Sequence, residues 1–294
     1  MNKIVYPNEV AAVVVTYNRL ELLKQVINGL LNQTLKPNKI IVVNNNSTDG
    51  TLNWLEAMSK EQPQITFITQ ENTGSSGGQY TGTKTAFEMG YEWIWIMDDD
   101  VVAANDCLEN LMLYCKSDVV AAPLRIGNDG KIFVNDTAEI NLKNPFKGMH
   151  KRFLSKSDYL QSKIIPVDVV TFEGPIFHYS MFEKAGFPDK KFFIYADDTE
   201  FSIRLGKYGI RFVIIQKSVL NRLLPVPSKI DFDDWKFYYI YRNHTAIDTL
   251  YGNLPVRLFR SLLRVLSRIP KCKKISQFKT LLRAFCDGYF YRSS

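Results

Sequence analysis

Residues 93–101 read WIWIMDDDV, an apolar run that ends in three adjacent carboxylates. So dense a run is expected to be a strand buried on both faces, with Trp93 and Trp95 in the core. Three neighbouring negative charges repel one another, so a cation is expected to meet them in the working protein. Side chains alternate along a strand, which would set Asp98 and Asp100 on one face and turn Asp99 away. Two oxygen ligands on one face suit a hard divalent ion that completes its shell with phosphate oxygens and water. Read alone, the same triplet is also a solvated acidic turn.

On either side of this stretch the pattern alternates. AAVVVTYN (11–18), KIIVVNNN (39–46), ITFIT (65–69) and VVAAP (119–123) are strand-like. Leu20, Leu23, Ile27, Leu30 and Leu31 recur at helical spacing behind Asn18 and Glu21, which are placed like a capping box. Ser47 or Asp49 is expected to cap a short helix carrying Leu52, Leu55 and Met58. Doubly buried strands separated by helices predict an α/β, Rossmann-like fold with a mainly parallel sheet. Ligands of such sheets bind beyond the carboxyl ends of the strands. Those ends read Thr16-Tyr17-Asn18, Asn44-Asn45-Asn46 and Asp98-Asp99-Asp100, all polar.

Just upstream, ENTGSSGGQYTGTKTAF (71–87) has glycines that permit close backbone approach to a ligand and lead into a helix. Their spacing is neither a dinucleotide fingerprint nor a P-loop, and a plain flexible loop is the alternative. Further on, VDVVTFEGPIF and FFIYADDTEFSIRLGKYG form a second ordered stretch. In the latter, Phe201, Leu205 and Tyr208 mark one face of a helix starting near Asp198.

The bulk numbers are those of a globular protein: 294 residues, 46% hydrophobic and 23% charged. No apolar run reaches the length of a transmembrane helix, and the N-terminal run is too short and strand-like for a secretory signal. Four scattered cysteines without CxxC spacing are expected to be reduced thiols. The net charge of +7 resides in the tail, where residues 253–294 hold ten Lys or Arg and one Asp. There Arg257, Arg260, Arg264 and Arg268 alternate with Leu258, Leu262, Val265, Leu266 and Ile269 as a basic amphipathic helix. It is expected either to lie on an anionic membrane surface or to pack on the domain. No nucleic-acid module surrounds it, so no nucleic-acid partner is expected.

VVVTYNR, LLNQTLKPNKIIVVNNNSTDGT, ENTGSSGGQYTGTKTAFEMGYEWIWIMDDD and FFIYADDTEFSIRLGKYG, in that order over roughly residues 8–245, resemble family 2 glycosyltransferases. The glycine stretch, the DDD triplet and ADDTEF are most similar to the galactofuranosyltransferase and rhamnosyltransferase branch. This resemblance implies a GT-A fold, a nucleotide-sugar donor, Mn2+ or Mg2+, and inversion at the anomeric carbon. It places Thr16, Tyr17, Asn18, Arg19, Gly77, Gly78, Asp98 and Asp99 around the donor. Asn44 stands where the family usually has an Asp that contacts the nucleobase or ribose, and its amide is expected to hydrogen-bond the donor there. Asp98 and Asp100 match the metal ligands, and Asp198, with Asp197 beside it, matches the general base. A His that the family often has beyond the base is absent, with Asn221 near its place and His178 or His244 as substitutes. Tyr239, Arg242 and Asn243 are expected either to bind the acceptor or to sit in a core helix.

The resulting expectation is a GT-A unit over residues 1–250, divided near 123 into donor and acceptor halves, followed by a helical tail, 251–294. It would build a lipid-linked bacterial glycan from UDP-galactofuranose or dTDP-rhamnose, as a cytoplasmic protein held at the inner face of the membrane. A metal-dependent nucleotidyltransferase and a non-enzymatic basic nucleic-acid- or lipid-binding protein are the rival readings.

Overall fold

The computed structural model describes residues 6–225 and 231–293. The first five residues of the N-terminal run therefore lie outside it. The N-terminal part follows the predicted alternation: β1 (Tyr6–Thr16), α1 (Leu20–Leu31), β2 (Lys39–Asn44), α2 (Thr51–Glu61), β3 (Ile65–Thr69), α3 (Gly74–Glu88) and β4 (Tyr91–Asp98). Next come β5 (Val101–Ala103), α4 (Cys107–Met112) and β6 (Val119–Ile126). The weakly patterned middle holds β7 (Thr137–Ile140), β8 (His150–Phe153), α5 (Lys156–Gln161) and β9 (Ile164–Val167). The second ordered stretch contains β10 (Ile176–His178), α6 (Tyr179–Ala185), α7 (Asp197–Gly206) and β11 (Arg211–Arg222). Three helices close the chain: α8 (Lys236–Tyr251), α9 (Ser261–Arg268) and α10 (Ile275–Tyr289).

One large sheet runs in the order β3-β2-β1-β4-β10-β6-β11-β5, and β9 pairs with β11. β1, β2, β3 and β4 are parallel, as doubly buried strands joined by helices require. β10 is antiparallel to both β4 and β6 and so stitches the two halves into one sheet. Core side chains from both halves form a continuous cluster, from Val13 and Ile96 to Phe201 and Ile214. Trp95 is fully buried and its indole N–H donates to the Gly174 carbonyl at 2.9 Å, which docks the 168–175 loop beside β4.

Helix entry differs from the expected capping box. Asn18 has φ +53° and accepts from the Thr48 amide, while Asp49 accepts from the amides of both Leu20 and Thr51. A single carboxylate thus ties the starts of α1 and α2 together. Cys107, Cys115, Cys272 and Cys286 are unpaired.

Candidate active site

Parallel register sets the carboxyl ends of three strands side by side. Thr16 is opposite Asn44, and Val15 is opposite Asp98. The expected alternation within the triplet stops at Asp98, because β4 ends there and Asp99 and Asp100 belong to the turn that follows. Asp99 therefore does not simply point away. It accepts from the Thr16 hydroxyl at 2.8 Å, the Tyr17 amide at 3.4 Å and Arg19 Nη1 at 3.0 Å. The same guanidinium nitrogen reaches Asp100 at 3.1 Å. Tyr17 is left 46% exposed beside this network, and Asn18 is exposed with it.

Asn44 is fully buried. Its Oδ1 accepts from the Ser47 amide and its Nδ2 donates to the Thr69 hydroxyl, so it shapes the wall and presents no free amide to a ligand. The glycine stretch also corrects expectation, because it is the first half of α3 itself. A Cβ at Gly78 would lie 2.3 Å from Val15, and one at Gly77 would lie 2.1 Å from the Thr73 hydroxyl. Both residues serve close packing within α3 and of α3 against β1. The helix brings in a residue that the sequence pattern did not single out: Gln79 Nε2 lies 3.4 Å from Asp98 Oδ1.

Across the crevice, α7 opens with Asp197 and Asp198. Three non-glycine residues before it, Phe193, Tyr195 and Ala196, have φ of +65°, +67° and +60°. Left-handed backbone costs about 1–2 kcal/mol per such residue, so something must hold this loop. Asn243 does. Its fully buried amide donates to the carbonyls of Phe192, Ile194 and Tyr195. Arg242 donates to the Lys191 and Phe192 carbonyls and to Asn243 Oδ1. Asn243 is buried with its amide committed to the loop, whereas Arg242 commits Nε and Nη2 to Asn243 and the loop and is half-buried. Tyr239 stacks on Phe193 at 4.9 Å next to exposed Trp235 and is placed where an aromatic platform would be of use.

Burial decides the sign of the carboxyl shifts. Asp197 and Asp198 are both held above the ordinary carboxylate range, by burial first; Asp198 adds to the shift at Asp197. Asp197 Oδ2 is buried without a hydrogen-bond partner. Asp98 is raised well above its ordinary value by burial and then by Asp100, Glu173, Asp99 and Asp197. The triplet and the start of α7 therefore act on one another across one crevice. Glu200 is turned away, paired with Arg204 at 2.8 Å.

Glu173 joins the two sides. It is bonded to Arg125 at 2.6 Å and to Arg222, and Arg125 is bonded in turn to Asp136 at 2.6 Å. Burial works against the Glu173 carboxylate, but the two arginines outweigh it and hold it below its ordinary value. The signal available in sequence was faint: a lone Arg at the end of apolar VVAAPLRI needs a partner that pattern alone cannot name.

Asn221 is not a ligand. It pairs with Val102 and Ile126 on the sheet and lines a 370 Å³ cleft with Asn28 and Asn105, while the next residue, Arg222, faces Glu173. His178 is opposite Trp93, at the far end of β4 from Asp98, and bonds Ser180 and Glu92. His244 bonds the Ile240 carbonyl and packs edge-on to His150. Among the described residues no group of three or more Asp, Glu, His or Cys is arranged to hold a metal. Asp98 and Asp100 nevertheless fit a divalent ion in a two-carboxylate mode. Asp98 is surrounded by negative charge and has one long bond from a neutral amide, a deficit that a cation and donor phosphates would fill.

The fold is shared with solved glycosyltransferases. GalNAc-T7, crystallised with UDP, GalNAc and Mn2+, superposes with a TM-score of 0.69 at 11% identity, covering 97% of this chain and 56% of that one. S. aureus TarS 1-349 in complex with UDP-GlcNAc gives 0.62 at 16% identity, covering 95% and 80%. In sequence, the galactofuranosyltransferase GlfT1 of Mycolicibacterium smegmatis is 28% identical over 210 residues, 69% of this chain and 67% of that protein. The GalNAc(5)-diNAcBac-PP-undecaprenol beta-1,3-glucosyltransferase of Campylobacter jejuni is 28% identical over 193 residues, 63% and 54% of the two chains. This chain thus spans about two thirds of the first of these relatives and about half of the second. The profile of glycosyl transferase family 2 matches residues 11–172, which run from β1 through the triplet to the edge of the Glu173 loop and make up more than half of the sequence. The chain belongs to glycosyl transferase family 2.

Proposed function

We propose that this chain transfers a sugar, with inversion, from a nucleotide-sugar to a hydroxyl of a lipid-linked glycan at the inner face of the membrane. The observation that carries this reading is the acidic turn at Asp98–Asp100 facing the raised carboxylates at the start of α7. UDP-galactofuranose is the favoured donor and dTDP-rhamnose the second. The likeness to GlfT1 supports the first, and the undecaprenol-linked substrate in the Campylobacter relative's name supports a lipid-linked acceptor.

In the reaction, Asp198 accepts the proton of the acceptor hydroxyl as its oxygen forms a bond to the anomeric carbon. The carbon–oxygen bond to the nucleoside diphosphate breaks, and its electron pair leaves on the phosphate oxygen. Burial, with the Glu173 charge adding to it, holds Asp198 above the ordinary carboxylate range and so keeps it basic enough for this task. Tyr17 is exposed to stack on the base, with Thr16 and Arg19 ordering the turn through Asp99. Mn2+ or Mg2+ held by Asp98 and Asp100 would neutralise charge developing on the leaving diphosphate. The test is to incubate the protein with each nucleotide-sugar and a polyprenyl-diphosphate-linked acceptor and to measure nucleoside diphosphate release. No acceptor-dependent release with any donor would overturn the reading.

A further inference from the structure

The tail is inside out relative to its sequence pattern. Arg260 and Arg264 point inward, at 2.8 and 2.7 Å from the two oxygens of Asp248, which is fully buried on α8. Arg257 donates to the Gly252 carbonyl, and Arg268 lies over the Tyr241 ring. Because Arg260 and Arg264 are drawn in while Arg257 stays exposed, the apolar face of the helix is also met by solvent. Leu258, Phe259, Leu262, Leu263 and Leu266 are all exposed, at one- and four-residue steps along one side of the π turn Val256–Arg260 and α9. On α10, Ile275, Phe278 and Leu282 form a second exposed stripe. α9 packs on α10, so both exposed stripes belong to one helical pair, and exposed large apolar side chains concentrated in this way mark an interaction surface.

We infer that this face is the protein's seat on an anionic lipid bilayer, entered by its leucines and phenylalanines and not held by its arginines. This deepens the proposed function, because a lipid-linked acceptor presents itself at such a surface. Charge identifies the occupant. Lys271, Lys273 and Lys279 are exposed beside the stripes and pair with no carboxylate among the described residues. That lysine rim would repel its own image in a second copy of the chain, whereas it matches anionic headgroups. No helix among the described residues is long and apolar enough to cross a membrane, so the contact lies in the interface.

The seat is mechanically tied to the chemistry. α8 grips the tail through Asp248 and the catalytic loop through Asn243, two turns or less apart on one helix. α10 lies so close on α8 that a Cβ at Gly288 would be 2.4 Å from the Arg242 carbonyl. A bilayer under α9 therefore positions the loop before Asp198 relative to the lipid plane.

Flotation of the full chain with vesicles tests this, using phosphatidylcholine alone or mixed with an equal part of phosphatidylglycerol. Wild type is expected to float with the mixed vesicles. Leu262→Asp/Leu266→Asp is expected to lower the partition at least about tenfold. Lys271→Gln/Lys273→Gln/Lys279→Gln is expected to remove the preference for phosphatidylglycerol and the salt sensitivity. All these sites are exposed, so melting temperature and the thermal shift produced by UDP with Mn2+ should be unchanged. Undiminished flotation of both variants would overturn the inference. So would a wild-type dimer that Leu262→Asp/Leu266→Asp converts to monomer, which would assign the face to a second copy. Failure of the glycosyltransferase reading would show separately, as no nucleotide response and no transfer in a protein that still floats.

Discussion

The side-chain amide of Asn243 lies 2.7 Å from the carbonyl oxygen of Tyr195, three residues before Asp198. An asparagine on α8 therefore holds the loop that leads to Asp198, the proposed proton acceptor. Asn243→Ala would leave the carbonyls of Ile194 and Tyr195 short of a donor and release a loop held in left-handed backbone. We expect a loss of about 2–4 kcal/mol in stability. kcat should fall with little change in donor KM, measured by thermal melts and steady-state kinetics on the same preparation.

Asp198→Asn keeps the shape of the side chain but cannot take a proton. Turnover should fall about 10²–10⁴-fold while nucleotide affinity stays near wild type. Retention of more than about a tenth of wild-type turnover would transfer the role to Asp197.

The pH profile follows from the sign of the shift. Burial pushes Asp198 up to about 6, so the base is protonated and idle below that pH and free above it. kcat should rise through that range and then level off, well above the limb an exposed Asp near 3.9 would give. A limb near 4 would mean that the working carboxylate is not this one.

Asp98, Asp99 and Asp100 should respond differently to Asn. Asp98→Asn and Asp100→Asn should raise the Mn2+ concentration needed for half-maximal activity by about tenfold or more. Asp99 holds Thr16, Tyr17 and Arg19, so Asp99→Asn should raise donor KM and lower melting temperature without moving the metal dependence. Titration of activity against Mn2+ separates the cases. Equal losses with unchanged metal dependence would reduce the triplet to a structural turn.

Asp197 is held above its unfolded pKa, so its charged form weighs against folding above the folded pKa and ceases to do so below the unfolded one. Asp197→Asn should raise the melting temperature by about 2–6 °C near pH 8, shrinking to nothing toward pH 4. Melts at the two pH values check this.

Periodicity alone determined that residues 11–123 alternate strands with helices, that Trp93 and Trp95 are core, and that the polar ends at Thr16, Asn44 and Asp98 share one edge. Hydrophobic burial is local enough to leave such a record, because side chains repeat every two or three to four residues. The direction of each polar side chain was not recorded in this way. Asp99 belongs to Arg19 because β4 ends at Asp98, two residues earlier than the alternation required. Asn44 is closed off by Ser47 and Thr69, and Gly77 and Gly78 serve packing against Thr73 and Val15. Glu173 enters the site because β10 runs antiparallel between β4 and β6, a pairing with no trace in local pattern. The tail is the clearest case. Its amphipathic period was legible, but which face turned inward was decided by Asp248, a buried carboxylate on α8 that only the folded chain brings beneath Arg260 and Arg264. An unpaired charge in that position would cost several kcal/mol, so Arg260 and Arg264 went in and the apolar face was left for another surface.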